Sequence, residues 1–254
     1  MRVLRLTNSN DMNAGIAPER RTGALVGGLL EARLGEPCEV QSRLYWPNAR
    51  APEFAERWVR EFEPDVVLIG ISEYWNTWES VPLMLRRRFG KAGGKLGDWS
   101  QRSVRISWLA ENAAYRKARN LAVRVIGGAT PFTVEESLAG VDGTVRRMLA
   151  AREETLIILR GPGAALNSAG DKAGARRGEV RLAQFVTGLR AIARQHRAEW
   201  VDLPPHLLWT ADPGQLGGDR MHRNEAGHEM MALAEAEIVT AAWRKVSGGL
   251  PTAR

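Results

Sequence analysis

Alternating strand and helix signals predict an α/β fold, in which a parallel sheet is covered by helices on both faces. Three observations carry that expectation. Asp65–Ile71 (DVVLIGI) and Thr155–Leu159 (TLIIL) are continuous apolar runs, the pattern of strands buried on both faces. The segments around them repeat apolar residues at helical spacing, as in Leu182, Phe185, Leu189 and Ile192. The apolar fraction of 44% over 254 residues is enough for a sizeable core.

The elements follow in order. Val3–Thr7 reads as a short buried strand. Pro18–Leu34 reads as a helix: Pro18 suits a first turn, Leu25, Leu29 and Ala32 share a face, and Gly35 and Pro37 end it. Glu39–Leu44 is a second strand and Pro52–Phe62 a short helix, followed by the Asp65–Ile71 strand. Thr133–Ala150 is expected to be helical and Thr155–Leu159 a strand. Gly161–Gly178, rich in Gly, Ala and Arg, is expected to be a mobile loop. Val180–Arg197 forms a helix and Trp200–Leu203 a last short strand. Asn224 caps a final helix with a stripe of Met230, Ala234, Ile238 and Ala241. Glu73–Pro131 breaks the alternation: it is long, basic and rich in Trp and Gly, and is expected to be an inserted helical subregion.

Composition narrows the function classes. The net charge is +7, but Leu85–Arg124 holds eleven Lys/Arg against two Asp/Glu, a local +9 that leaves −2 for the remainder. This segment is the place for an anionic partner, or simply a solvated face that includes Arg86, Arg87 and Arg88. No apolar run is long enough for a transmembrane helix, and the N-terminus turns polar too early for a signal peptide. Cys38 is the only cysteine, which excludes an internal disulfide and fits a cytoplasmic location. His196 and His206 have no partners at metal-ligand spacing, so no metal is expected. Gly161-Pro162-Gly163 lacks the Lys-Ser/Thr of a phosphate-binding loop, and no organic cofactor is expected either.

The chemistry concentrates in Gly217-Gly218-Asp219-Arg220-Met221-His222-Arg223-Asn224-Glu225-Ala226-Gly227-His228. A turn of this size can fold the Asp219 carboxylate back onto the His222 ring, which would fix its tautomer and leave the other nitrogen as a base. Ligands of open α/β sheets bind beyond the carboxyl ends of the strands. Asn8-Ser9-Asn10-Asp11 follows the first strand, Gly70-Ile71-Ser72-Glu73 the third, and the Asp219/His222 block the fifth. All fall on one edge, where Ser9 and His222 come within reach of each other. Trp46, Trp75 and Trp78 follow the second and third strands and either line a pocket there or belong to the core.

With these residues the chain resembles the SGNH hydrolases, also called the GDSL family of esterases and lipases. Asp219, His222, Gly227 and His228 match the family's closing block, Ser9 matches its nucleophile and Gly70 the glycine of its third block. Thr7 and Asn8 depart from the Gly-Asp that precedes the nucleophile, Ser72 stands where the family has asparagine, and no glycine occurs near Ser42–Asn48. The resemblance implies a three-layer flavodoxin-like fold with a mostly parallel five-stranded sheet, in a single domain over 1–254 with an insertion at about 73–131. It implies a serine esterase or deacylase with a Ser9–His222–Asp219 triad, acting on a small-molecule, lipid or carbohydrate ester. The oxyanion hole would draw on Ser9, Gly70, Ser72 and Asn76. An acyltransferase on the same triad, and a non-catalytic protein that binds an anionic partner, remain open beside it. His228 is expected to pack against or cap the final helix.

Overall fold

The computed structural model describes residues 1–12, 15–90, 113–204, 213–216 and 222–248. The two apolar runs become neighbouring central strands. The strands are β1 (Arg2–Thr7), β2 (Glu39–Leu44), β3 (Val66–Gly70), β4 (Leu156–Arg160) and β5 (Glu199–Val201). They form one sheet in the order β2-β1-β3-β4-β5, and every neighbouring pair is parallel. This is the flavodoxin-like order, whose switch point lies at the ends of β1 and β3.

The helices are α1 (Thr22–Leu34), α2 (Ala51–Phe62), α3 (Tyr74–Thr77), α4 (Ala113–Ile126), α5 (Val134–Ala151), α6 (Lys172–His196) and α7 (Glu225–Ser247), with residues 81–90 also helical. Strand periodicity divides the core in two. Leu4, Leu6, Val67, Ile69, Ile157 and Leu159 pack against α2, α5 and α6. Val3, Val66, Leu68 and Ile158 pack against α1 and α7, where Val26, Leu30, Ala232 and Val239 meet them. By the same alternation, Arg5 shares the α1/α7 face with Val3, and Arg160 shares it with Ile158.

Three expectations shift. Pro18–Arg20 is a separate 3-10 turn, so α1 begins at Thr22, and its fully buried residues are Thr22, Val26 and Leu30 rather than the Leu25/Leu29 face. The end of the stretch expected as a loop, from Lys172 to Gly178, is helix, because Asp171 caps α6 by accepting from the Gly174 N–H at 2.7 Å. A Cβ at Gly174 would lie 2.6 Å from that of Ala169, so the bare backbone is what lets the helix start against the preceding loop. The buried face of α7 is wider than the expected stripe: Ala234 and Ile238 are buried as expected and Ala241 is exposed, while His228, Ala232, Glu235 and Val239 also face inward.

Residues 91–112 of the expected insertion lie outside the described residues. The flanking parts are joined to each other by a Ser80–Ala129 bridge and tied to the body by Arg87 bonded to Glu136. Arg124 pairs with Asp171, and Arg119 sits 4.5 Å over the Trp78 ring. No helix among the described residues is long and apolar enough to cross a membrane.

Candidate active site

The carboxyl edge of the sheet gathers the expected residues. β1 ends at Thr7, whose carbonyl accepts from the Tyr45 N–H, and the chain then turns through a 3-10 turn at Ser9–Met12. The turn is closed by Asp11 N–H donating to the Asn8 carbonyl at 3.3 Å. It leaves Ser9 exposed, with its Oγ 3.5 Å from His222 Nε2 across 213 positions of sequence. That is a long contact, of the kind that tightens when substrate is bound.

His222 is held by the residues that follow it. Asn224 caps α7 by accepting from the Gly227 N–H, and its own amide donates to the carbonyls of Gly214 and Leu216. Arg223 forms a bridge with Leu216. Asp219, the expected orienter of His222, lies outside the described residues.

The expected oxyanion residues divide. Gly70 closes β3 beside the end of β1, and the Arg160 guanidinium lies where a Cβ would sit, so any larger residue would have to displace it. Ser72 is buried, and its Oγ accepts from the Tyr74 N–H at 3.3 Å. A hydroxyl that accepts still keeps a proton to donate. Asn76 is placed differently from the expectation that it swings toward the edge. It is 0% exposed and its amide donates to Ser137 on α5 at 2.9 Å, so it serves the core. Glu73 accepts from the Gly163 N–H at 2.9 Å and so joins the exits of β3 and β4.

Beneath this edge lies a buried ionic network that the sequence reading missed. Arg5, 2% exposed on the inner strand β1, donates to Glu235 of α7 at 2.7 Å through Nε and to Ser42 at 2.8 Å, and forms an ion pair with Asp11 at 2.8 Å. Arg160 approaches the second oxygen of Glu235 at 3.4 Å. A cavity of 40 Å³ above them is lined by Thr7, Asn8, Asp11, Arg160, Arg223 and Glu235, among others. Burial opposes the Arg5 charge, but Asp11 and Glu235 outweigh it and raise its pKa. Burial likewise opposes the Asp11 carboxylate, yet Arg5 and Thr7 hold it below the usual range. Burial, together with Arg160, pulls the Arg223 pKa down. Two signals were legible: an arginine on the same parity as Val3 in a buried strand, and a glutamate within the apolar face of the last helix.

His228 is 0% exposed and caps α1 rather than its own helix. The Thr22 N–H donates to its Nδ1 at 3.2 Å. A backbone N–H only donates, so Nδ1 is the acceptor and the neutral ring carries its proton on Nε2. Burial lowers its pKa.

Trp75 is core, whereas Trp46 and Trp78 are half-buried. Trp46 meets Tyr74 and Phe132, and Tyr74 stacks on Trp78, giving an aromatic wall beside the edge. A depression of about 1020 Å³ lies at the opposite, amino-terminal edge, near Asp65, Thr155, His196 and Trp243. Volume alone does not make it the site, since ligands of such sheets bind at the carboxyl edge. Among the described residues, no group of three or more His, Cys, Asp or Glu is placed to hold a metal ion.

No protein-family model and no curated protein matches the chain. Solved structures do. A psychrotrophic esterase from Pseudoalteromonas matches at 12% identity and a TM-score of 0.55, covering 96% of this chain and 98% of its own. A carbohydrate acetylesterase from Sinorhizobium meliloti matches at 12% identity and 0.51, covering 94% and 98%. An acetyl-xylooligosaccharide esterase from Geobacillus matches at 20% identity and 0.50, covering 94% and 92%. With an all-parallel sheet in flavodoxin-like order, and such neighbours over nearly its whole length, the chain has an SGNH hydrolase-like fold.

Proposed function

We propose that the protein is a serine-dependent carboxylic-ester hydrolase with Ser9 as nucleophile, His222 as base and Asp219 as the residue that orients His222. The reading rests above all on the approach of Ser9 Oγ to His222 Nε2, 3.5 Å apart, at the carboxyl edge of the sheet. The structural neighbours named above are esterases, which supports ester hydrolysis as the class.

In this scheme His222 Nε2 takes the Ser9 proton as Oγ bonds to the ester carbonyl carbon. The tetrahedral oxyanion is met by the Ser9 N–H, with the Ser72 hydroxyl as a second donor; Gly70 keeps the space at the end of β3. Nε2–H then protonates the departing alcohol as its C–O bond breaks. Water attacks the acyl-enzyme, gives its proton to Nε2, and releases the acid with Ser9 restored. With Asn76 committed to Ser137, the hole has fewer side-chain donors, and loss of one donor typically costs about 10²–10³ in rate. Turnover is therefore expected to be slow.

The Pseudoalteromonas esterase is described as inhibited by monoethylphosphonate, and a phosphonate probe suits the test here. A fluorophosphonate should label the peptide containing Ser9, and p-nitrophenyl acetate should be hydrolysed. Ser9→Ala should abolish labelling and His222→Ala should slow it. A folded wild-type chain that neither labels nor hydrolyses any short ester would overturn the reading.

A further inference from the structure

β1 is an inner strand buried on both faces, yet it carries Arg5 at a position where its own alternation calls for an aliphatic residue facing α1 and α7. Burying a guanidinium is costly, and apolar replacement of buried ion clusters is often neutral or stabilising. Stability alone therefore gives little reason to keep this arginine.

Its partners suggest another reason. Asp11 belongs to the same 3-10 turn as Ser9, two residues on, and its carboxylate meets Arg5 Nη1 at 2.8 Å. Glu235 belongs to α7, the helix that begins three residues after His222, and it takes both Arg5 and Arg160. One guanidinium in the middle of the sheet thus ties the turn bearing Ser9 to the helix that follows His222. Ser42 on β2 holds its remaining side.

We propose that Asp11, anchored by Arg5, is the positioning residue of the Ser9 turn and sets the distance between Ser9 and His222. The proposal rests on Ser9 being the nucleophile. Asp11 touches no reacting atom; it acts by fixing the backbone from which Ser9 projects. Misplacement of reacting groups by about 1 Å costs up to about 10²-fold in rate.

The test compares the wild type, Asp11→Asn, the double variant Arg5→Met/Asp11→Leu, which removes the pair and leaves Glu235 to Arg160, and Glu79→Gln as a control buried carboxylate elsewhere. Two quantities are read on the full chain: hydrogen exchange of the amides of residues 8–12, and the rate of Ser9 labelling by fluorophosphonate alongside kcat and KM for p-nitrophenyl acetate. Both Asp11 variants should exchange faster in that turn with β3 and β4 unchanged. Their labelling rate and kcat should fall by about 10- to 100-fold at constant KM. Glu79→Gln should change neither quantity. The exchange arm is independent of chemistry. A wild type that labels, with both Asp11 variants exchanging in the turn as the wild type does, overturns the anchor and leaves the nucleophile standing. A looser turn in the Asp11 variants of a chain that never labels upholds the anchor and removes the nucleophile. Faster exchange with unchanged kcat in a labelled enzyme also overturns the proposal, since the turn would then not set the reacting distance.

Discussion

Two clusters of buried carboxylates illustrate opposite uses of the same chemistry. Glu79, after α3, is held by Arg177 at 2.9 Å and Arg181 at 2.8 Å, whose side chains are 47% and 27% exposed. Asp11 and Glu235 are held by Arg5, which is 2% exposed. In the first cluster the cations keep much of their hydration, so only one charge is desolvated. In the second, both signs are withdrawn from water and each depends on the other for neutralisation. The first fastens α6 to the chain leaving α3. The second sits under the Ser9–His222 edge, where rigidity has a use that packing alone does not supply.

The largest expected contrast comes from cutting each cluster at the residue its other members share. Arg5→Met leaves two buried carboxylates short of a partner and should lower stability by about 3–5 kcal/mol, read from the urea midpoint at constant slope. Removing the anion of the solvated cluster should cost less. Glu79→Gln releases two arginines that already reach water, for about 1–2 kcal/mol and an unchanged kcat. A Glu79→Gln loss as large as that of Arg5→Met would dissolve the distinction.

Acid sharpens it further. His228 is kept neutral by burial and by the Thr22 N–H, so its pKa lies below the ordinary value of 6.5. As pH falls below about 6.5 the unfolded chain takes up a proton that the folded chain refuses, and stability declines. Asp11 acts in the next window down: its lowered pKa means that the unfolded chain protonates first through the usual carboxylate range, removing more stability there. Two successive losses are expected in a melting-temperature profile. His228→Gln, which keeps an acceptor for Thr22 and does not titrate, should flatten the upper one and leave the lower.

The smallest effect belongs to the exposed pairs. Lys245 and Glu199 meet at 2.9 Å with the lysine 69% exposed, and Lys245→Ala should move stability by no more than about 0.5 kcal/mol. A larger change in a thermal melt would mean that surface pairing contributes on the scale of the buried clusters.

Much of the fold could be read in the chain. DVVLIGI and TLIIL could be little other than inner strands, and the Asn224 cap, a local device, was found where expected. Ser9 and His222 were legible as neighbours because strand order sends both to one edge. The start of α6 was hidden because Gly174 and Gly178 look like loop residues until the Asp171 cap and the packed segment before it are in view. Asn76 was misplaced because its direction depends on how α3 meets Ser137, a contact across 61 residues.

By itself, the sequence determined the inner strands, most of the helices and the edge that collects the polar turns. Those properties come from the period of apolar residues and from chain order, and both are local or topological. Only the tertiary structure decided that Arg5 neutralises Asp11 and Glu235, that His228 caps α1, and that the face of α7 turned inward includes a carboxylate. Charge neutralisation depends on a few ångströms between residues as far as 230 positions apart, and no periodicity along the chain encodes that distance.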